Sequence, residues 1–312
     1  MRFLILGAGA IGGYFGAKLL KGGADVTFLV RPGRAAKLKF DGLVVKARDG
    51  EIRTKVDTLQ QGQIEGHYDV VLLTCKAYDL DGAIEAVTPA IGSESVVLPL
   101  LNGVRHIDVL SGRFTAARVL GGLTVINPVM LPDGTIEQSA VSMTITAIGE
   151  LSGGGSPRCT AIQEALAAGG IKVDVAEDIL AAMWQKLYGF VCNAAITSLT
   201  RSRAGIIART AAGPQLVAGV LDEAARILEV EGYRPADQTL KFTRSLFAQV
   251  ESTYAPSLFV DMEQGRPTEG EHTIGDLVRR ASARGVSAPI LNAALCNLQA
   301  YEIGRSALTL RG

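Results

Sequence analysis

Residues 2–13 read Arg2-Phe-Leu-Ile-Leu-Gly7-Ala-Gly9-Ala-Ile-Gly12-Gly13, an apolar run that ends in G-x-G-x-x-G. No other stretch narrows the possible folds so far. Phe3 to Leu6 reads as a buried strand, Tyr14 to Lys21 has helical composition, and Gly22-Gly23 supplies a stop. Gly7 permits the tight strand-to-helix turn, Gly9 lets backbone approach a pyrophosphate, and Gly12 lets helix and strand pack closely. The helix start offers free N–H groups and a partial positive charge to that anion. In this strand–turn–helix context the motif predicts a dinucleotide site at Gly7, Gly9, Ala10, Ile11 and Gly12, on an α/β Rossmann-type domain. The competing reading is a merely structural glycine turn.

The rest of the composition narrows the function classes. At 312 residues there is chain enough for two domains. The 31 basic and 31 acidic residues balance without a basic stripe, which speaks against a nucleic-acid partner. Cys75, Cys159, Cys192 and Cys296 lack C-x-x-C spacing, and no signal peptide is evident; reduced thiols and a cytoplasmic setting are expected. His67, His106 and His272 have no metal-ligand spacing, so no metal is expected and each reads as structural or surface. No apolar run reads as long enough to cross a bilayer, so no membrane association is expected.

A second strand, Asp25 to Val30, ends at Arg31, followed by Pro32-Gly33-Arg34. An NAD enzyme carries Asp or Glu about 20 residues past the glycines to hold the ribose hydroxyls. A guanidinium there attracts a 2′-phosphate instead, so Arg31 first, and Arg34 second, argue for NADPH/NADP; a solvated basic loop is the bland alternative. Alternating runs around Asp49-Gly50 read as a hairpin at the edge of the sheet. Asp69–Thr74 and Ser95–Leu101 read as buried parallel strands joined by a helix over 80–90. Ligands gather at the carboxyl ends of such strands, which singles out Lys76 and Asn102. Strands at 119–125 and 143–149, a helix at 159–168 and a strand at 171–175 read as the last part of the same sheet. That places a domain boundary near Ala176, with residues 1–176 binding the dinucleotide and 177–312 forming an all-α domain.

In the second half Asp178 is placed to cap a helix from Ile179 to Leu199. Lys186, Asn193 and Thr197 fall within about 20° of one face of it. A lysine between Trp184 and Leu187 is unusual in an apolar helix; it is either functional or snorkels to the surface. Further helices are expected over 217–231, 237–254 and 289–303, with Ser257 to Asp261 a short apolar turn. Thr268 and Glu271 fit a capping box, making Glu269 the first residue of a helix that ends near Arg284.

Together these residues resemble the ketopantoate reductase (2-dehydropantoate 2-reductase) family along essentially the whole chain. The resemblance rests on the glycine loop at 7–12, Arg31, Cys75-Lys76-Ala77, Leu101-Asn102-Gly103 and Trp184-Gln-Lys186-Leu187. It extends to Ser257–Asp261, Thr268-Glu269, Arg279-Arg280-Ala281, Gly285-Val286 and Pro289. It implies NADPH-dependent reduction of a 2-oxo acid to its 2-hydroxy acid, ketopantoate to (R)-pantoate in the pantothenate route. Lys186, in the helical half, is implied as the general acid serving a nicotinamide held by the first half. Glu269 is implied to bind the substrate's hydroxyl end and support the lysine, Asn102 to orient cofactor and substrate, Ser257 to bond the substrate, and Lys76 to lie near the cofactor.

One departure stands out. The family helix carries asparagines four and eight residues after the lysine; here those positions are Phe190 and Ala194, with Asn193 beside the second as a substitute substrate ligand. Losing two amides costs about 1–3 kcal/mol per unpaired polar substrate group, enough to change substrate preference. A paralogous reductase of a bulkier or more apolar 2-oxo acid, a hydroxy-acid or sugar-acid dehydrogenase, and a non-catalytic NADPH-binding sensor therefore stay open. The apolar helical half is also compatible with a homodimer.

Overall fold

The computed structural model describes residues 1–138 and 144–309. In chain order the first part runs β1 (Arg2–Leu6), α1 (Ala10–Lys21), β2 (Asp25–Leu29), α2 (Pro32–Asp41), β3 (Leu43–Ala47), β4 (Gly50–Thr54), β5 (Asp57–Leu59) and β6 (Val70–Leu73). It continues through α3 (Leu80–Val87), β7 (Val96–Pro99), α4 (Arg105–Phe114), β8 (Leu120–Val125), β9 (Pro128–Met130), β10 (Ile136–Gln138), β11 (Ile145–Glu150), α5 (Pro157–Ala168) and β12 (Asp174–Val175). The helices α6 (Ile179–Thr200), α7 (Ala204–Ala208), α8 (Gly213–Val230), α9 (Asp237–Ser245), α10 (Ser257–Glu263), α11 (Gly270–Ala283) and α12 (Pro289–Thr309) follow. Two compact units result: Met1–Leu101 with His106–Ala182, and Asn102–Arg105 with the chain from Met183 onward.

The first unit is built on a parallel sheet in the order β5-β2-β1-β6-β7. β6 and β7 are buried throughout, as the unbroken apolar runs Val70–Leu73 and Val96–Pro99 require of strands covered on both faces. Gly16 of α1 lies so close to β2 that a Cβ there would meet the Phe28 ring at 2.2 Å. Phe3, Ile5, Phe15, Phe28, Leu72 and Leu98 fill the core beneath.

Two expectations about this unit are corrected. The hairpin forms, with Ala47 opposite Gly50, but not at the edge of the parallel sheet. β10 takes the free edge of β3, so the hairpin belongs to a second sheet, β4-β3-β10-β9. Its turn is pinned to α1: Lys18, only 1% exposed, donates to Asp49 Oδ1 at 2.5 Å, and Lys21 to Oδ2 at 2.9 Å. Those two ammonium groups hold the Asp49 carboxyl down to about 2. The strands after residue 119 likewise do not complete the main sheet. Among the described residues no crossover helix separates β8 from β11; the two pair antiparallel, and β12-β11-β8 form a third sheet. An isolated parallel bridge, Val97 to Val119, ties it to β7. The strand read from Met143 begins at Ile145; Met143 lies outside the described residues.

The change of unit comes at Ala182, inside α6, whereas the pattern of residue types suggests Ala176. The reason is Ile179: a Cβ on Gly121 or Gly149 would sit 2.6 or 2.9 Å from its side chain, so the first turn of α6 packs on β8 and β11. Asp178 caps this helix as expected, accepting from Ala181 N at 2.8 Å. With 22 residues and a most apolar 18-residue window of mean hydropathy 1.2, α6 is by length and composition long and apolar enough to cross a membrane, contrary to the reading that no run is; here 61% of that window is buried within the fold. Val191, Cys192, Ala195 and Ile196 of α6 are buried, as are Val220 and Ile227 of α8 and Ile274 and Leu277 of α11.

Three helical readings in the second unit change. α9 stops at Ser245 instead of continuing to Tyr254. Val250 O, which Tyr254 N would reach in the longer helix, accepts from Arg209 Nε at 3.1 Å, and Tyr254 N donates to Ser252 Oγ at 3.2 Å. Ser257–Glu263 is a helix, not a turn. The capping box does not form, because the Glu302 carboxylate takes both the Thr268 N–H at 2.7 Å and its hydroxyl at 2.9 Å. Glu271 pairs with Arg279 and Gln299, and Glu269 occupies the N-cap position, one residue before the helix.

Candidate active site

Two clusters hold the residues singled out from sequence, one in each unit. In the first unit β1 runs into Gly7 at φ +91°, a backbone region that side-chain-bearing residues avoid, and Gly7 N donates to Leu29 O at 2.9 Å. A Cβ on Gly12 would stand 2.1 Å from the Gly7 carbonyl, so only glycine lets α1 start this close to β1. Gly9, the N-cap of α1, makes no side-chain cap, and the first turn of α1 carries no acidic residue. A Cβ on Gly9 would meet nothing within 4 Å, so the backbone there is open to an incoming group. The N–H groups of Ala10, Ile11 and Gly12 begin the helix beside it. This is the donor set and the clearance that a dinucleotide pyrophosphate requires, so the residues present fit that group.

β2 and β6 flank β1, and their carboxyl ends carry Arg31 and Lys76. Arg31 is the N-cap of α2; its guanidinium lies 3.2 Å from Asp79 and is 84% exposed. Arg34, partly buried, donates through Nε to Ala8 O of the glycine turn at 2.9 Å. Thr74 Oγ donates to Leu6 O at 2.9 Å on the other side. Lys76 is partly buried and precedes a short 3-10 turn, Ala77–Asp79.

In the second unit three side chains form a hydrogen-bonded line. Lys186 Nζ donates to Asn102 Oδ1 at 3.1 Å, and Asn102 Nδ2 donates to Glu269 Oε2 at 3.1 Å. The amide is oriented by charge at both ends, its oxygen facing the ammonium and its nitrogen the carboxylate. Glu269 is 5% exposed. Lys186 is partly buried, and its ammonium is pushed down from 10.5 to about 8, chiefly by burial and against the opposing pull of Glu269. A cationic acid poised near neutral pH, held in place by an amide, is suited to proton transfer.

Asn193 is buried at 5% exposure and donates through Nδ2 to the Tyr254 hydroxyl at 2.9 Å, while its Oδ1 has no protein partner. Burial raises the Tyr254 phenol, so this group stays protonated. Thr197, on the same face, is fully buried and bonds back to Asn193 O at 2.7 Å. Ala194 is fully buried in the helical core, whereas Phe190, about 40° around the helix from Lys186, keeps part of its ring exposed. Ser257 is exposed at the first turn of α10.

Sequence reasoning passed over two of these neighbours. Tyr254 carries no pattern of its own; its position three residues before Ser257 is the only signal available. His272, set aside with the other histidines, lies one turn into α11, and its imidazole is held neutral by burial and Arg105 against Glu269. Among the described residues no group of three or more His, Cys, Asp or Glu is placed to hold a metal ion, and none of the four cysteines is in a disulfide.

Comparison with known proteins decides the family. A model of the ketopantoate reductase PanE/ApbA family matches residues 3–153, and the model of its C-terminal part matches residues 178–302. The chain belongs to the ketopantoate reductase family. Its parallel-sheet Rossmann-like part followed by a helical part is the architecture of that family, and membership makes it an oxidoreductase. Among its relatives is an uncharacterized oxidoreductase of Bacillus subtilis, 36% identical over 97% of this chain and 99% of the relative. A 2-dehydropantoate 2-reductase of Nostoc is 25% identical over 93% of this chain and 92% of its own. A solved structure of D-mandelate dehydrogenase with NADH and anilino(oxo)acetate superposes with a TM-score of 0.86 at 21% identity, over 98% of this chain and all of that one. The range of substrates named for these proteins leaves the reaction of this member to be argued from its own residues.

Proposed function

We propose that this chain is an NADPH-dependent 2-oxo acid reductase, with ketopantoate, reduced to (R)-pantoate, as the first substrate to test and the cytoplasm as its setting. The observation that carries the reading is the Lys186–Asn102–Glu269 line. In it a partly buried ammonium near pH 8 is oriented by an amide whose other end is fixed on a buried carboxylate.

The bound nicotinamide supplies the hydride that reduces the carbonyl carbon. The chain's own part is to stabilise and protonate the oxygen. Negative charge grows on that oxygen as the carbon is reduced, and the Lys186 ammonium interacts with it more strongly in the transition state than with the neutral carbonyl. Lys186 Nζ then gives its proton to the oxygen, completing the hydroxyl. Burial weakens the N–H bond toward transfer, while Glu269 keeps the amine protonated in the resting state. Asn102 holds Nζ in one orientation and also offers its amide edge to substrate or cofactor. Ser257 and Asn193 are assigned to the substrate, Ser257 by its exposed hydroxyl and Asn193 by an Oδ1 that needs a donor. Gly7, Gly9, Ala10, Ile11 and Gly12 are assigned to the pyrophosphate, Arg31 to the 2′-phosphate, and Lys76 and Asn102 to the cofactor's remaining polar groups.

A second substrate reading is favoured by a specific observation. Phe190 puts a partly exposed ring one turn from Lys186, and Ala194 is locked in the core, so neither family amide is replaced in kind. That supports a 2-oxo acid with an apolar substituent over one with a hydroxyl. The D-mandelate dehydrogenase of similar fold makes an aryl-substituted acid a sensible member of the test panel. The reading is tested with Lys186→Ala, which is expected to lower kcat by about two to four orders of magnitude while leaving NADPH affinity within about twofold. Unchanged kcat removes Lys186 from the chemistry.

A further inference from the structure

We propose that Asp79 is a cofactor-specificity residue. It competes with the 2′-phosphate of NADPH for Arg31 and so reduces the enzyme's preference for NADPH over NADH. The inference rests on the dinucleotide reading above and adds a residue that no motif marks. β2 and β6 are the two neighbours of β1 in the sheet. Arg31 follows β2 and Asp79 ends the 3-10 turn after β6. With strands about 4.8 Å apart, the two backbones stand roughly 10 Å from each other across the carboxyl end of β1. Their side chains close that span, meeting at 3.2 Å between Nη2 and Oδ2. The pair therefore lies on the edge where the glycine turn receives the dinucleotide.

Arg31 is the more accessible guanidinium at this edge, 84% exposed, whereas Arg34 is partly buried and turns its Nε to Ala8 O. Asp79 is 44% exposed, so the Arg31–Asp79 bond is a weak, solvent-screened one that a doubly charged phosphate can displace. Displacement leaves the Asp79 carboxylate beside the phosphate it has just yielded to, and like charges at short range repel. With NADH there is no phosphate to displace Asp79 and the pair persists. Asp79 therefore discounts only the phosphorylated cofactor.

The test is calorimetric titration of the full chain with NADPH and NADH, and with ADP and 2′-phosphorylated ADP, for wild type, Asp79→Asn and Asp79→Glu. Asp79→Asn is expected to tighten binding of both 2′-phosphorylated ligands by about three- to tenfold, with the unphosphorylated ones within about twofold, and Asp79→Glu to return the wild-type ratio. The gain should shrink as salt rises, since an exposed charge pair is screened. An unchanged NADPH-to-NADH ratio in Asp79→Asn, with wild type binding both, overturns this proposal alone. A wild-type chain that binds neither dinucleotide overturns the dinucleotide reading and this proposal with it.

Discussion

Glu269→Gln isolates the electrostatic half of the proposed proton donor. The replacement keeps the shape and leaves Oε1 able to accept from Asn102, but it removes the one carboxylate that raises the Lys186 ammonium. One amide and two 3.1 Å hydrogen bonds separate the charges, which sets them roughly 7 Å apart. At an effective dielectric of about 20 that is about 2 kcal/mol of attraction, or about 1.5 in pKa; solvent along the partly exposed Lys186 side chain screens it to about 1. The protonated form is the competent one, so kcat/KM in the wild type should fall as pH rises through about 8. In Glu269→Gln the same limb should fall through about 7. The assay is NADPH oxidation against pH from about 6 to 10 with a turned-over 2-oxo acid. An alkaline limb that stays in place, or moves to higher pH, refutes the claim that Glu269 holds the Lys186 proton.

Two further outcomes are expected. Asp49→Asn should cost the first unit about 1–3 kcal/mol at neutral pH, read as a lowered melting temperature, because it strips the buried Lys18 ammonium of its partner. Since the folded carboxyl titrates at about 2, below its unfolded value, its contribution is present above about pH 4 and lost as pH falls toward 2. The gap between variant and wild type should therefore close in acid; a gap constant with pH contradicts the pairing. Phe190→Asn, which restores a family amide beside Lys186, should move the ratio of kcat/KM toward ketopantoate and away from apolar 2-oxo acids by about 10- to 100-fold. No change in that ratio removes Phe190 from substrate selection.

Much of this architecture is legible in residue order, and the failures have a common cause. G-x-G-x-x-G after an apolar strand is a local signal, because the glycines are required by backbone geometry and by contacts within a few residues. The buried strands β6 and β7 are equally legible as unbroken apolar runs. Lys186 is conspicuous because an ammonium in an apolar helix needs a reason, and Asn102 because it follows a strand. What their own sequence neighbourhood cannot show is that they bond each other, at a sequence separation of 84. The errors are also long-range: Glu302 captures Thr268 and cancels a locally sound capping box, and β10 claims the hairpin for a second sheet. The α9 pattern continues past Ser245, but Arg209 takes the Val250 carbonyl that a longer helix would use. Asp79 reads as a polar loop residue until the strand order sets it opposite Arg31.

The central claim is that this member reduces a 2-oxo acid with hydride from a nicotinamide. Initial rates over a panel of 2-oxo acids, hydroxylated, aliphatic and aryl-substituted, with NADPH and NADH in parallel, test it most directly. The account predicts saturable oxidation of the reduced cofactor with at least one of them, faster per molar with NADPH. Tight NADPH binding with no turnover of any 2-oxo acid would contradict it.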